Sequence, residues 1–307
     1  MQPGQAAAAQ WVIFEFPLAH EPIDLEALIV NIGNKESWFA SDDEAQELAE
    51  KWKGGVATRL KKFLNDAVLR GWPARYEFNS SDPDSIQGSS FIEGTESEEL
   101  QREKSARIHM DTYMKFAQEL TGREFEAVCR GILNLMGCEN PVLTARGNDQ
   151  GIDFYGLLRM TGRLDRKYER GIDRAMRSWI IGQAKQVGEP VGTPEIRELM
   201  GSIQLAQFGV NADKGRALAQ LDLKPYDSVM PFFITTGTFS RDAWSLIDQT
   251  GLVGMDGPTV AALLADHCVA DVNGACEAEA FHAWVESELG AADECDAPRI
   301  DSLDADE

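Results

Sequence analysis

The chain has 307 residues, of which 43% are hydrophobic and 26% charged, a composition typical of a globular protein with room for one large or two smaller domains. It has no apolar run near the roughly 20 residues that a membrane helix needs, and no signal peptide pattern, so we expect a cytoplasmic protein without a membrane partner. The formal net charge of −22 at first argues against a nucleic-acid partner, because phosphate backbones attract basic surfaces.

The basic residues are concentrated in the middle third of the chain. Residues 101–205 hold 16 Lys and Arg against 14 Asp and Glu, whereas residues 1–100 hold 8 against 18 and residues 206–307 hold 5 against 19. The local excess of positive charge is therefore confined to this third, and a nucleic-acid contact is expected there.

The N-terminal part predicts a small acidic α+β domain over residues 1–77. Residues 10–17 are mostly apolar and end at proline, which predicts a buried strand. A helix is predicted from about residue 41, and Gly54 and Gly55 are expected to break or bend it. The acidity of this domain favours contact with a protein partner, or with a second copy of the chain, over direct reading of DNA.

Residues 78–105 are rich in Ser, Asp, Gly and Glu, which is typical of a linker. A helix is predicted at residues 110–120. Behind it, Thr121 and Glu124 have the spacing of a capping box, and an amphipathic helix follows that ends at Gly137.

Short strands then alternate with helices. Strands are predicted at residues 142–144, 152–160, 178–187, 229–236 and 252–256, and helices at residues 193–208 (with Thr193 as its cap), 241–250 and 258–267. This alternation predicts an α/β/α sandwich built on a central mixed sheet over residues 106–275. Residues 276–307 are expected to be a C-terminal helix with an acidic tail, and the tail is expected to be disordered from residue 290.

Polar side chains occupy one face of the strand at residues 178–187. Because side chains alternate along a strand, Gln183 and Lys185 lie on the same face as Trp179 and Ile181. A buried lysine needs a carboxylate or a charged ligand nearby, and Asp153 is the first candidate. A buried ion pair between Asp153 and Lys185 is the structural alternative to a catalytic site.

Six segments in this order resemble the Mrr-type restriction endonuclease catalytic domain, which has the PD-(D/E)xK nuclease fold in the variant where glutamine replaces the second acidic residue. The likeness covers roughly residues 115–270. The segments are Phe125-Glu126, residues 147–153, Gln183-Ala184-Lys185, residues 191–201, residues 233–243 and residues 252–270. Gln150 stands where the family usually has glycine, and the interval from Asp153 to Gln183 is longer than is usual in the family.

The resemblance implies a metal-dependent DNA endonuclease, with Mg²⁺ or Mn²⁺ as its cofactor and a role in restriction or defence against phage. Asp153, the Gln183 side-chain oxygen and the backbone carbonyl of Ala184 would bind the metal, since hard cations prefer oxygen ligands. Lys185 would position or deprotonate the attacking water. Glu126 would bind metal through water, although a solvated helix residue is the alternative.

Two other functions stay open at this level. The chain can be a non-catalytic member of the fold that binds nucleic acid or holds a defence complex together, or it can be an RNA nuclease. No P-loop pattern is present.

Two further groups of residues suggest binding sites. Residues 161–177 form a charged extension between the two strands of the candidate site. We expect its basic side chains to contact DNA phosphates, namely Arg163, Arg166, Lys167 and Arg170. A solvated helix and a protein-docking arm are the alternatives.

A zinc site can be drawn from His267, Cys268, Cys276 and His282, but their spacing matches no common ligand pattern, and incidental thiols are the alternative.

Overall fold

A computed structural model of the chain describes residues 3–144, 151–160, 173, 176–209, 221 and 223–296. The chain divides into two compact units, residues 1–111 and residues 112–307. Among the described residues, none of the helices combines the length and the apolar character that crossing a bilayer requires.

In the described part of the first unit, four helices accompany a small antiparallel sheet. In chain order the elements are α1 (Gln5–Glu15), β1 (Ile23–Asp24), α2 (Leu25–Lys35), α3 (Asp42–Arg70), β2 (Tyr76–Phe78), β3 (Ser85–Gly88) and α4 (Glu98–Arg107). Strand β3 lies between β1 and β2 and is antiparallel to both. Apolar side chains from α1, α2, α3 and β3 form one core, for example Val12, Ile29, Leu60 and Ile86. The predicted α+β class of the N-terminal domain is confirmed.

The predicted strand of this unit is wrong, and so is the predicted break at Gly54 and Gly55. Residues 10–17 are not a strand, because most of them belong to helix α1, which buries Ala8 and Val12. A continuous apolar run carries no period, and the alanines before it favour a helix. Helix α3 continues through Gly54 and Gly55 as one 29-residue helix. A side chain at Gly55 would meet Gln5, so this glycine allows α1 to lie close to α3.

The predicted linker at residues 78–105 is also wrong, because it contains the central strand β3 and the helix α4. Polar residues build this part of the unit: the Gln87 side chain is buried and bonded to Asn79, Glu77 and Glu93. Lys104 on α4 is buried as well and donates to Glu77, Glu96 and the Phe91 carbonyl.

The second unit is a mixed sheet with helices on both faces. Its elements are α5 (Met110–Glu119), α6 (Gly122–Leu135), β4 (Glu139–Leu143), β5 (Phe154–Arg159), β6 (Arg177–Lys185), α7 (Thr193–Gln207), β7 (Ser228–Thr235), α8 (Arg241–Thr250), β8 (Val253–Met255), α9 (Gly257–Asp266), β9 (Asp271–Val272), β10 (Ala275–Cys276) and α10 (Ala278–Asp296). The five-stranded sheet has the order β4-β5-β6-β7-β8. Strands β4, β5 and β6 are antiparallel neighbours, and β6, β7 and β8 are parallel.

The sheet separates two helical layers, which confirms the predicted α/β/α sandwich. Helix α6 packs on one face beside α10, where Trp284 fills the space left by Gly131. Helices α7 and α8 cover the other face through a core that includes Ile181, Ile196 and Phe233. The sandwich places the middle of β6 between helices on both sides.

The ends of α6 follow the sequence prediction, whereas α7 and α10 differ from it. The capping box of α6 is present, with Thr121 and Glu124 bonded to each other's backbone amides, and Gly137 adopts the positive φ of 86° expected after a helix end. Thr193 is not a cap, since α7 has Gly192 at that position and no side-chain cap. Helix α10 continues past residue 290 to Asp296, so the predicted tail begins too early.

Candidate active site

The candidate site lies where β5 begins and β6 ends. Phe154 pairs with Gly182, which places Asp153, just before β5, beside the end of β6. The Asp153 amide donates to the Gly182 carbonyl at 2.9 Å, and one carboxylate oxygen of Asp153 accepts from the Ala184 amide at 2.7 Å. The side chain of Asp153 is therefore buried and fixed against the strand that carries Gln183 and Lys185.

A glycine makes this close pairing possible. A methyl group at Gly182 would lie 2.3 Å from the Phe154 ring and 2.8 Å from the Phe232 carbonyl oxygen. The Phe154 ring therefore covers Gly182, and this contact holds β5 and β6 in register next to Asp153.

The Gln183 side chain has an orphaned acceptor. Its Oε1 atom is buried and has no hydrogen-bond donor among the described residues. Buried polar atoms are normally satisfied, so this oxygen suits a cation or a water that binds there. An amide oxygen next to the Asp153 carboxylate is a donor set that a hard divalent metal prefers, and the residues present fit Mg²⁺ or Mn²⁺.

Lys185 is held at the end of β6. Its carbonyl oxygen accepts from the Thr235 hydroxyl at 2.9 Å and from the Thr236 amide at 3.2 Å, which fixes the backbone against β7. Its ammonium nitrogen lies 4.0 Å from a carboxylate oxygen of Glu195, near the start of α7. The side chain is 37% exposed, so it reaches the edge where a substrate would enter.

Glu126 belongs to the same neighbourhood but already has a partner. Its carboxylate accepts from Arg123 at 2.7 Å, and the same guanidinium nitrogen donates to the Thr144 carbonyl oxygen at 2.9 Å. Burial, with the charges of Asp153 and Glu126 as further causes, raises the pKa of the Cys129 thiol.

The sequence comparison finds one family in this part of the chain. Residues 117–264 match the sequence model of the Mrr catalytic domain, described as a restriction endonuclease. These residues thus match the Mrr-type restriction endonuclease domain, and we call them the Mrr-type domain. The match begins in α5 and ends in α9.

Two solved structures are similar to the chain. The first is the MspJI restriction endonuclease in complex with a 27-mer oligonucleotide (19% identity, TM-score 0.37), with 67% of this chain and 40% of that chain covered. The second is the DNA modification-dependent restriction endonuclease AspBHI (16% identity, TM-score 0.36), with 67% and 46% covered. The chain thus spans less than half the length of either structure. A comparison with curated proteins finds no match.

The Mrr-type domain brings together Asp153, Gln183 and Lys185, with Glu126 nearby. The backbone amide of Ala184 donates to the Asp153 carboxylate. That the backbone carbonyl of Ala184 binds a metal stays a prediction. The basic residues expected to contact DNA lie outside the described residues: Arg163, Arg166, Lys167 and Arg170. The zinc interpretation is not supported, since no three His, Cys, Asp or Glu side chains of the described residues are placed to bind one metal.

Two residues at the site of the Mrr-type domain were not predicted as functional. Arg123 joins Glu126 to the Thr144 backbone, and Glu195 lies beside Lys185. Glu195 stands in segment 191–201, which resembles the family, but its contact with β6 is non-local, so no local pattern could assign it.

Proposed function

We propose that the Mrr-type domain is a metal-dependent DNA endonuclease that hydrolyses phosphodiester bonds, in restriction of foreign DNA or defence against phage. The observation that supports this proposal is the junction of β5 and β6. The Asp153 carboxylate is held there by a backbone amide, the buried Gln183 oxygen has no donor among the described residues, and the Lys185 side chain is partly exposed at the end of β6. A role in cutting incoming DNA would place the protein in the cytoplasm.

The metal would be held by Asp153, the Gln183 oxygen and the Ala184 carbonyl. When bound, Mg²⁺ or Mn²⁺ supplies Lewis-acid stabilisation of the phosphate and of the attacking oxygen. Asp153 orients this site because the Ala184 amide holds its carboxylate in place. With one carboxylate in the set where the usual motif has two, the affinity for the metal is expected to be modest.

Lys185 would act on the reacting atoms directly. Its ammonium group, on the strand that carries the metal ligands, would hold the attacking water and offset negative charge that develops on the phosphate. Glu126, which forms an ion pair with Arg123, would bind the metal through a water molecule. These roles require that Lys185 can reach the phosphate, which its partial exposure allows.

The N-terminal unit would choose the target or bind a partner. Residues 1–100 carry 18 acidic against 8 basic residues, which favours a basic protein surface or a second copy of the chain over DNA as its contact. DNA would then be contacted by the Mrr-type domain alone.

The test is a cleavage assay with purified full-length protein and Mg²⁺ or Mn²⁺ on plasmid DNA, modified phage DNA and RNA. We expect nicks or cuts in DNA that need the metal and stop in EDTA. Binding of DNA without any cleavage would favour a non-catalytic role, and cleavage of RNA alone would make the chain an RNA nuclease. Equal cleavage in EDTA would refute the proposed site.

A further inference from the structure

Glu195 occupies a helix position that normally has a structural use. It is the third residue of α7 after the N-cap Gly192. In α6 and α3 the glutamate at this position folds back on the backbone: Glu124 accepts from the Thr121 amide at 2.7 Å, and Glu44 accepts from the Ala40 amide at 2.7 Å. Such contacts satisfy amides that the first turn leaves free.

Glu195 makes no such contact. Its Oε2 atom is buried and has no hydrogen-bond partner among the described residues. A methyl group at Gly192 would lie 3.3 Å from this oxygen, so the glycine leaves room for the carboxylate to stay over the start of the helix. A buried carboxylate oxygen without a donor is unfavourable for folding, and capping therefore does not explain its conformation.

The other carboxylate oxygen points to the site. Glu195 Oε1 lies 4.0 Å from Lys185 Nζ, and both side chains are about one third exposed, at 31% and 37%. A lysine side chain has four flexible bonds, and the β6–β7 bonds fix only its backbone. Among the ion pairs of the described residues, Glu195 is the acidic partner of this ammonium.

We propose that Glu195 is a positioning residue, whose carboxylate holds the Lys185 ammonium at the edge of the sheet where the phosphate is attacked. This proposal rests on the proposed nuclease function. At 4.0 Å the pair is loose, so the ammonium can move to the phosphate without breaking a short ion pair. Glu195 thus selects among the conformations of Lys185 before DNA binds, which lowers the entropic cost of reaching the reactive geometry.

The competing explanation is a purely structural one. A negative charge in the first turn stabilises a helix by itself through the helix dipole. This explanation predicts that replacing Glu195 lowers thermal stability and leaves Lys185 unaffected. Glu44→Gln is the matched control, because Glu44 has the same helix position in α3, which belongs to the other unit.

The first readout needs no catalysis. Protein labelled with ¹³C at the lysine ε-carbon gives one cross-peak for the Lys185 ε-methylene, assigned by its loss in Lys185→Arg. We expect Glu195→Gln to shift this cross-peak, while Glu44→Gln leaves it in place and both variants keep similar melting temperatures. An unchanged cross-peak in Glu195→Gln would overturn the proposal, whether or not the protein cuts DNA.

The second readout is single-turnover cleavage at increasing enzyme concentration. We expect Glu195→Gln to lower the plateau rate about 10- to 100-fold without changing the concentration at half-saturation, and Glu195→Asp to restore part of the rate. A full plateau rate in Glu195→Gln would overturn the positioning role, and so would a loss of rate that only follows a loss of stability. Absence of cleavage by the wild type would contradict the proposed function instead, and the lysine cross-peak would still decide the contact.

Discussion

Among single residues, the proposed metal site depends most on the side-chain oxygen of Gln183. This oxygen is buried without a donor among the described residues, and an unsatisfied buried acceptor costs roughly 1–3 kcal/mol. The cost is understandable if the oxygen is a metal ligand, since a cation would replace the missing donor. The residue type therefore predicts how the metal affinity responds to substitution.

Gln183→Glu should keep or strengthen Mn²⁺ binding, because a carboxylate offers the same oxygen with a negative charge. Gln183→Leu should lose Mn²⁺ binding and cleavage together. Isothermal titration calorimetry with Mn²⁺ measures both affinities. Gln204→Leu is a control on the neighbouring helix α7, with an exposed side chain. A leucine variant at position 183 that binds Mn²⁺ as tightly as the wild type would remove Gln183 from the metal site.

The residue types of the site could be predicted from the sequence, but their contacts could not. Strand alternation put Gln183 and Lys185 on one face, and the segment order singled out Asp153. The contact of Lys185 with Glu195 joins β6 to α7 and has no local signature. Likewise, the ion pair of Glu126 with Arg123 leaves the metal role of Glu126 a prediction, since its carboxylate already accepts a charged donor.

Among the helices and strands, α4 is held to the N-terminal sheet through Lys104. Burial alone would lower the pKa of its ammonium, but hydrogen bonds to Glu77 and Glu96 raise the pKa above its usual range. In return, the hydrogen bond from Lys104 lowers the pKa of Glu96. The network is therefore charged on both sides at neutral pH.

Lys104→Met should destabilise this part of the N-terminal unit by about 3 kcal/mol, because it leaves the half-buried Glu96 carboxylate without its cation. Amide hydrogen exchange of peptides from β2, β3 and α4 measures the loss locally. Lys115→Met is the control: its ion pair with Glu119 is exposed and 4.0 Å long, and its loss should cost less than about 0.5 kcal/mol.

The pH dependence of this difference has a definite sign. A carboxyl group whose pKa is lowered by folding adds stability above its unfolded pKa, and this stability is lost as the pH falls through the lowered value. Wild type and Lys104→Met should therefore differ fully at neutral pH and converge in acid. Equal protection of the β3 amides in both proteins at pH 7 would contradict the role of Lys104.

Amphipathic and capped elements could be predicted from the sequence, and elements without a period could not. Helix α6 combined helical spacing with a capping box, and both are confirmed. Helix α1 was missed because its four consecutive apolar residues, 11–14, show no helical period. Strand β3 was missed because two of its four residues, Ser85 and Gln87, are buried polar residues whose side chains bond to Asp82, Glu77 and Glu93. Burial through hydrogen bonds leaves no hydrophobic pattern to detect.

Over the chain as a whole, the distribution of charge restricts where DNA can bind. The chain has a net charge of −22, and its excess of basic residues is confined to residues 101–205. Acidic surfaces repel DNA, so both flanking thirds would direct it to the middle third. The basic side chains of the extension between Asp153 and Gln183 are the expected phosphate contacts.

Replacing Arg163, Arg166, Lys167 and Arg170 with glutamine should weaken DNA binding for all sequences alike. It should also reduce the slope of log affinity against log salt by about one unit for each phosphate that the variant no longer binds. Fluorescence anisotropy over a range of salt concentrations measures the slope. Asp153→Ala is the control that should leave it largely unchanged. Wild-type affinity and slope in the fourfold variant would make a protein partner the better explanation of the extension.

The proposed function requires that Asp153 and Lys185 form the active site of a metal-dependent DNA nuclease. The decisive measurement is the rate of DNA cleavage in Mg²⁺ by wild type, Asp153→Ala and Lys185→Ala. Asp153→Asn is a matched variant, since its amide oxygen can still accept from the Ala184 backbone. We expect every variant to fold as the wild type does and to cut at least about 100-fold more slowly. Wild-type cleavage by a folded Asp153 or Lys185 variant would contradict this assignment.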